Sequence, residues 1–214
     1  MNLSPEEKIT LETYQKIAKE WAISHSNQDF WKKEFEVFNK ILPKGKILEI
    51  GSGGGRDAKI LIKSGYEYTG TDISTEFLKT AKAENPGAKF LHQSVYDLDF
   101  PEGTLFDGFY CSAVLLHIPK SKIDKAFDSV NKYLKPGAIG FISLKKGEGE
   151  KMLERQSESA ITDKRFFVYY IPEEFKQILN RNGFEIIYQN EIQSTSKTTW
   201  LMFCVKKTTN ILCN

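Results

Sequence analysis

Cysteine is scarce in this chain of 214 residues: Cys111, Cys204 and Cys213 are scattered and odd in number. That argues against a disulfide framework and fits a reducing, cytoplasmic setting. Histidine is equally scarce. His25, His92 and His117 stand far apart in no ligand-spacing motif, so no metal is expected. No apolar run reaches the ~20 residues of a membrane-crossing helix. The opening Ser4-Pro5-Glu6-Glu7-Lys8 lacks a signal-peptide core, and Cys213, second from the end, does not fit a prenylation box. An excess of one charge is missing too. A net charge of +2 gives no broad footprint for nucleic acid and no attraction to a membrane surface. Internal repeats and low-complexity tracts are absent.

What is present reads as one globular domain with a substantial core, 40% hydrophobic and 27% charged. Ser4-Pro5-Glu6-Glu7 opens a helix, with Ile9, Tyr14, Ile17, Ala18 and Trp21 at helical spacing. A polar break at 24–28 precedes a second helix over 30–41. Short apolar strands are predicted at 46–50, 66–71, 88–93, 106–112 and 138–144, with helices at 58–63, 74–84 and 120–134. This alternation implies a parallel sheet covered on both faces. Residues 145–164 are polar and read as an excursion or lid. An aromatic run (166–171), a helix from Pro172 to 180 and two strands (184–193 and 198–206) complete the chain.

The most informative run is Ile47-Leu48-Glu49-Ile50-Gly51-Ser52-Gly53-Gly54-Gly55-Arg56-Asp57-Ala58. An apolar strand runs into a loop with glycine at alternate positions, where a ligand can approach the backbone. Asp72 closes the next strand about 20 residues on, placed to accept from ribose hydroxyls. A dinucleotide fingerprint would need glycine at position 56, which holds Arg56. The pattern is instead E-x-G-x-G-x-G (Glu49, Gly51, Gly53, Gly55), and an acid at the strand end suits a ligand with a cationic, amino acid part better than a pyrophosphate.

Here the sequence resembles the class I S-adenosylmethionine-dependent methyltransferases, strongly over 42–144 and loosely elsewhere. The resemblance implies a three-layer Rossmann-like α/β sandwich with a seven-stranded, mostly parallel sheet, an antiparallel final strand and added N-terminal helices. It implies one domain over 1–214: a helical cover (1–42), a cofactor-binding core (43–145), a lid or insertion (146–171), and a terminal helix and β-hairpin (172–207). S-adenosylmethionine is the implied cofactor and S-adenosylhomocysteine the product. Gly51, Ser52, Gly53, Gly55, Glu49 and Arg56 would hold the methionine part, with Ser112 and Ala113 lining it. Asp72 would hold the ribose, and Ile73, Ser94 and Val95 the adenine. Ser94 stands where relatives often carry an acid, which Asp97 could supply instead.

Tyr14 and Trp21 would cover the cofactor. His117 is a candidate general base or a loop-ordering residue. Arg165, Phe167, Tyr169, Tyr170 and Trp200 are candidates for the acceptor pocket. Cys111 follows Phe109-Tyr110 and reads as a small apolar strand residue, and no Asn-Pro-Pro-aromatic stretch is present. Both features weigh against two nucleic-acid routes. The leading expectation is methyl transfer to O, N or S of a small molecule, by a monomer or homodimer with no membrane partner. Three alternatives stay open: a tRNA or protein methyltransferase using a basic rim of Lys145, Lys146, Lys151, Arg155, Lys164 and Arg165; a non-catalytic cofactor-binding module; and a nicotinamide dehydrogenase, disfavoured by the glycine spacing.

Overall fold

The computed structural model describes residues 2–27, 31–156 and 162–209. Phe30, Cys213 and the tip of the 146–171 segment lie outside them.

Helix α1 (Pro5–Ser24) starts on a reciprocal cap: Glu7 N–H donates to Ser4 Oγ (3.3 Å), and Ser4 N–H to Glu7 Oε2 (2.8 Å). Helix α2 (Lys32–Ile41) turns Phe35 and Phe38 inward. The chain then alternates through β1 (Lys46–Ile50), α3 (Arg56–Lys63), β2 (Glu67–Asp72), α4 (Thr75–Glu84), β3 (Lys89–His92), β4 (Phe106–Ser112), α5 (Ile123–Asn131) and β5 (Leu134–Lys145). A hairpin of β6 (Glu150–Gln156) and β7 (Thr162–Val168) follows, then α6 (Pro172–Arg181), β8 (Phe184–Thr195) and β9 (Thr198–Lys207).

Seven strands form one sheet in the order β3-β2-β1-β4-β5-β9-β8. β9 pairs antiparallel with both neighbours, and the other pairs are parallel. This is the Rossmann-like sandwich that the resemblance implies.

The strand period of two sorts the core into layers. Leu48, Ile50, Phe109, Cys111, Ile142 and Phe203 face α5 and α6. Ile47, Tyr110, Phe141 and Cys204 face α2, α3 and α4. Each such large side chain contributes about 1.5–3 kcal/mol by leaving water.

Two expectations are corrected. The helix expected over 120–134 is shorter. Lys120–Lys122 form a 3₁₀ turn, and Leu134 already belongs to β5, opposite Phe106. Pro136-Gly137 is therefore an irregularity inside β5, where the register shifts, and not the stop before it. The polar stretch 145–164 contains most of an antiparallel hairpin, Glu150 opposite Val168 through Gln156 opposite Thr162. Its charged residues alternate between the two faces of a hairpin that stands apart from the main sheet, so composition alone reads as loop.

Helix α1 buries Ala18 of its apolar stripe and half-buries Ile9, Tyr14, Ile17 and Trp21, and it buries polar residues beside them. Its buried face carries Glu7, Thr10 and Thr13, and Ile23 is exposed. Thr13 Oγ1 donates to the Lys164 carbonyl (2.7 Å), and Phe166 N–H donates to Thr10 Oγ1 (2.8 Å). A polar seam thus ties α1 to β7.

Candidate active site

The sheet order reverses winding between β1 and β4, and a crevice opens at the carboxyl ends of the strands there. The cleft is about 1500 Å³. That exceeds the roughly 300–1,000 Å³ of a single small-ligand pocket.

The loop after β1 forms its floor. Gly51, Gly53 and Gly55 all have left-handed backbones (φ 67°, 51° and 83°). A Cβ on Gly51 would stand 2.3 Å from Val114 Cγ2, whereas one on Gly53 would meet no atom of the described residues within 4 Å. Gly54, which the spacing argument passed over, is needed for a different reason: its Cβ would lie 2.5 Å from Cβ of Ala22 on α1. Ser52 is buried and its Oγ has no partner among the described residues. An orphaned hydroxyl lining a cleft is a group left for a ligand.

Asp72 ends β2 beside this loop. Gly53 N–H donates to one carboxylate oxygen (2.8 Å) and Ser74 N–H to the other (2.7 Å). Burial pushes the carboxyl up, and these N–H groups oppose the shift. Ser74 itself caps α4 through Phe77 N–H, so Asp72 is not needed as the cap. Glu49 is 2% exposed and accepts from the Tyr68 hydroxyl. Burial, with Asp57 nearby, pushes its carboxyl well above the usual range, so a cation brought beside it would favour the ionised form. Arg56 forks onto Asp57 (2.6 and 2.8 Å) at the cleft wall.

Ile73, Ser94 and Val95 line one end. Ser94 Oγ accepts from Tyr96 N–H (3.2 Å), which shapes this turn. Asp97 points away toward Lys125 (3.7 Å). Ser112 Oγ is 3.3 Å from Ser143 Oγ at the end of β4. Ala113 follows at φ 58°, the one non-glycine residue in the left-handed region among the described residues. Such strain concentrates at functional sites. Cys111 is buried, which pushes its thiol up to about 12, so it is not a thiolate nucleophile at neutral pH.

At the other end lie Tyr14, His117, Arg165 and Trp200. His117 Nδ1 is 2.6 Å from the Phe166 carbonyl and Nε2 is 2.9 Å from the Tyr14 hydroxyl. Both ring nitrogens are thus engaged. Burial, then Arg165 and Lys145, push the imidazole down to about 3. Arg165 donates to Tyr14 (2.9 Å), forks onto Asp163 (2.5 and 2.6 Å), and lies 4.5 Å from the Trp21 ring centroid. Phe167 also lines this end, together with Lys145, which the sequence reading placed only in a basic rim. Tyr169 and Tyr170 do not line the cleft. Tyr170 is fully buried against Phe175, 5.1 Å between centroids, on the far side of the chain's turn into α6. Tyr169 packs beside Gly147 with Lys151 over its ring.

Residues 48–142 match a family profile described as a methyltransferase domain. A putative methyltransferase, YqeM, of Bacillus subtilis is 31% identical over 162 residues, 72% of this chain and 62% of that protein. A ubiquinone biosynthesis O-methyltransferase of Xanthomonas campestris is 31% identical over 107 residues, 48% of this chain and 44% of its own length. The chain thus spans less than two thirds of the length of these curated relatives. Among solved structures, the Burkholderia thailandensis 1,6-didemethyltoxoflavin-N1-methyltransferase with bound S-adenosylhomocysteine superposes with a TM-score of 0.75 at 16% identity, covering 97% of this chain and 92% of that one. A DhpI–SAH complex superposes with a TM-score of 0.77 at 17% identity, covering 97% and 100%. The stretch 48–142, which carries the glycine loop and Asp72, thus matches a methyltransferase-domain family, and the chain as a whole shares the fold of a solved methyltransferase that binds S-adenosylhomocysteine.

Proposed function

We propose that this chain transfers a methyl group from S-adenosylmethionine to an O, N or S atom of a small-molecule acceptor. The observation that carries the reading is the carboxylate of Asp72, held by Gly53 and Ser74 N–H groups at the edge of the cleft. Each oxygen keeps acceptor capacity for one of two vicinal ribose hydroxyls, a charge-assisted and geometrically selective arrangement. The open space over Gly53 and the orphaned Ser52 hydroxyl fit the methionine part, and Glu49 suits a nearby cation. Ile73 and Val95 offer apolar contacts to the adenine, with Ser94 shaping their turn. When bound, S-adenosylmethionine supplies an electrophilic methyl group on a sulfonium.

The chain's own task is then orientation and exclusion of water. Helix α1 and the β7 residues Asp163, Arg165 and Phe167 line the cleft, and Ser112 and Ala113 define the edge where the two ligands meet. His117 acts as a positioning residue in this reading, since both of its nitrogens are engaged. Three of the six residues of the basic rim that would favour RNA stand beside acids: Lys146 beside Glu191, Lys164 beside Glu154 and Arg165 beside Asp163.

Calorimetric titration with S-adenosylmethionine, S-adenosylhomocysteine and NAD, with Asp72→Ala beside the wild type, tests the proposal. Micromolar binding of both sulfur compounds, lost in Asp72→Ala, is the expected result. Binding of NAD alone, or of none of the three, overturns it.

A further inference from the structure

We propose that Tyr68 is a positioning residue for the amino acid end of the cofactor and acts through Glu49. This role rests on the methyltransferase reading and adds to it a residue that does not itself line the cleft.

Glu49 on β1 lies opposite Gly70 on β2 in a parallel pair, and Tyr68 stands two residues before Gly70. The three therefore share one face of the sheet. The Tyr68 side chain runs along its own strand, over Gly70, and its hydroxyl donates to Glu49 Oε2. That path requires a bare Cα. A Cβ on Gly70 would collide with the Tyr68 hydroxyl and stand 2.9 Å from Phe90 Cδ1. Gly70 is not among the glycines with a positive φ, so backbone conformation does not call for it. A glycine inside a strand weakens the sheet and marks a close approach, here of a phenol. Phe90 packs edge-on to Tyr68, 5.5 Å between centroids, and confines the ring to this lane.

Glu49 lines the cleft beside Gly51 and Ser52, whereas Tyr68 lies outside the lining. On the neighbouring α3, Asp57 is engaged by both arms of Arg56. Among the described residues, the Tyr68 hydroxyl is the hydrogen-bond donor that reaches the Glu49 carboxyl. Burial and then Asp57 push that carboxyl up, and Tyr68 opposes them. The phenol thus does two things. It fixes one oxygen, so the carboxyl is oriented before a ligand arrives. It also favours the ionised form, which is the form that attracts an ammonium. The cofactor carries its ammonium on the amino acid part, far from the ribose hydroxyls that Asp72 would hold.

The test separates the two ends of the ligand. S-adenosylhomocysteine carries the amino acid, whereas 5′-methylthioadenosine keeps the ribose and adenine and lacks it. Both are titrated calorimetrically into wild type, Tyr68→Phe and Gly70→Ala, with weak binding of 5′-methylthioadenosine read by displacement. Tyr68→Phe should weaken S-adenosylhomocysteine fivefold or more and leave 5′-methylthioadenosine within twofold of wild type. Gly70→Ala, whose methyl group displaces the hydroxyl, should show the same selective loss, and it carries the comparison if Tyr68→Phe does not fold. Equal losses for the two ligands would mark Tyr68 as merely structural, and unchanged S-adenosylhomocysteine affinity in Tyr68→Phe would show that Glu49 does not need the phenol. Either result overturns the proposal. Failure of the wild type to bind S-adenosylhomocysteine would instead remove the methyltransferase reading, and this role with it.

Discussion

The hydroxyl of Tyr14 donates to Nε2 of His117 across 2.9 Å. The direction is set by the other side of the ring: the Phe166 carbonyl can only accept, so Nδ1 carries the proton and Nε2 offers a lone pair. Arg165 then donates to the Tyr14 oxygen. The result is a one-directional chain from β7 through α1 to the loop after β4 and back to β7. Tyr14→Phe leaves Nε2 without its donor and should cost about 1–3 kcal/mol of folding stability. Urea unfolding measures it, and a midpoint equal to that of the wild type would contradict the assigned direction.

His117 also makes stability depend on pH. Its folded value is about 3 against 6.5 unfolded, so below pH 6.5 the unfolded chain binds a proton that the folded one refuses. Stability should therefore fall as pH drops through the window from 6.5 toward 3, by about 2 kcal/mol between pH 7 and pH 5. His117→Asn should lose less over the same interval. Equal slopes for wild type and variant in paired urea titrations would show that His117 is not the group responsible.

Gly51 and Gly53 should respond differently to alanine. Both must hold a positive φ, which costs a non-glycine residue about 1–2 kcal/mol. Gly51→Ala adds a collision with Val114 and should destabilise by clearly more. Gly53→Ala meets no protein atom, so its stability loss stays near the backbone cost while its methyl enters the cleft. The expected outcome is a near-normal melting temperature with S-adenosylhomocysteine affinity reduced tenfold or more.

Ser52 offers the converse. Its buried hydroxyl is unpaired among the described residues, a state that costs about 1–3 kcal/mol. Ser52→Ala should fold as stably as the wild type or about 1 kcal/mol better, yet bind S-adenosylhomocysteine several-fold more weakly. Thermal melts with and without the ligand separate the two effects.

The parts of this site legible in the sequence are those whose requirement is local. Gly51, Gly53, Gly55 and Asp72 lie along one strand-loop-helix-strand unit, and the need for positive φ and a strand-end acid shows in residue types alone. Gly54 is a different case, because its need for a bare Cα comes from Ala22 on a helix some thirty residues earlier. Likewise Thr10 and Thr13 read as neutral helix positions, and only β7 beside them makes them a polar seam. In the aromatic run, Phe167 reaches the cleft and Tyr170 the core. The run leaves β7 after Val168 and turns into α6, and the sequence does not mark where the strand ends. Lys145 escaped notice as a pocket residue because a lysine at a strand end is ordinarily solvated.

The hairpin β6–β7 forms a two-stranded sheet of its own and joins the end of β5 by the bridge from Lys146 to Tyr170. Arg165 and Phe167 therefore sit on a structure whose pairing register is independent of the seven main strands. Residues of the hairpin can drift, lengthen or be exchanged without shifting Asp72 or the glycine loop by a single pairing position. Under the proposed function, substitutions in β6 and β7 could alter one side of the cleft while the strand pairing that holds the glycine loop and Asp72 stays intact.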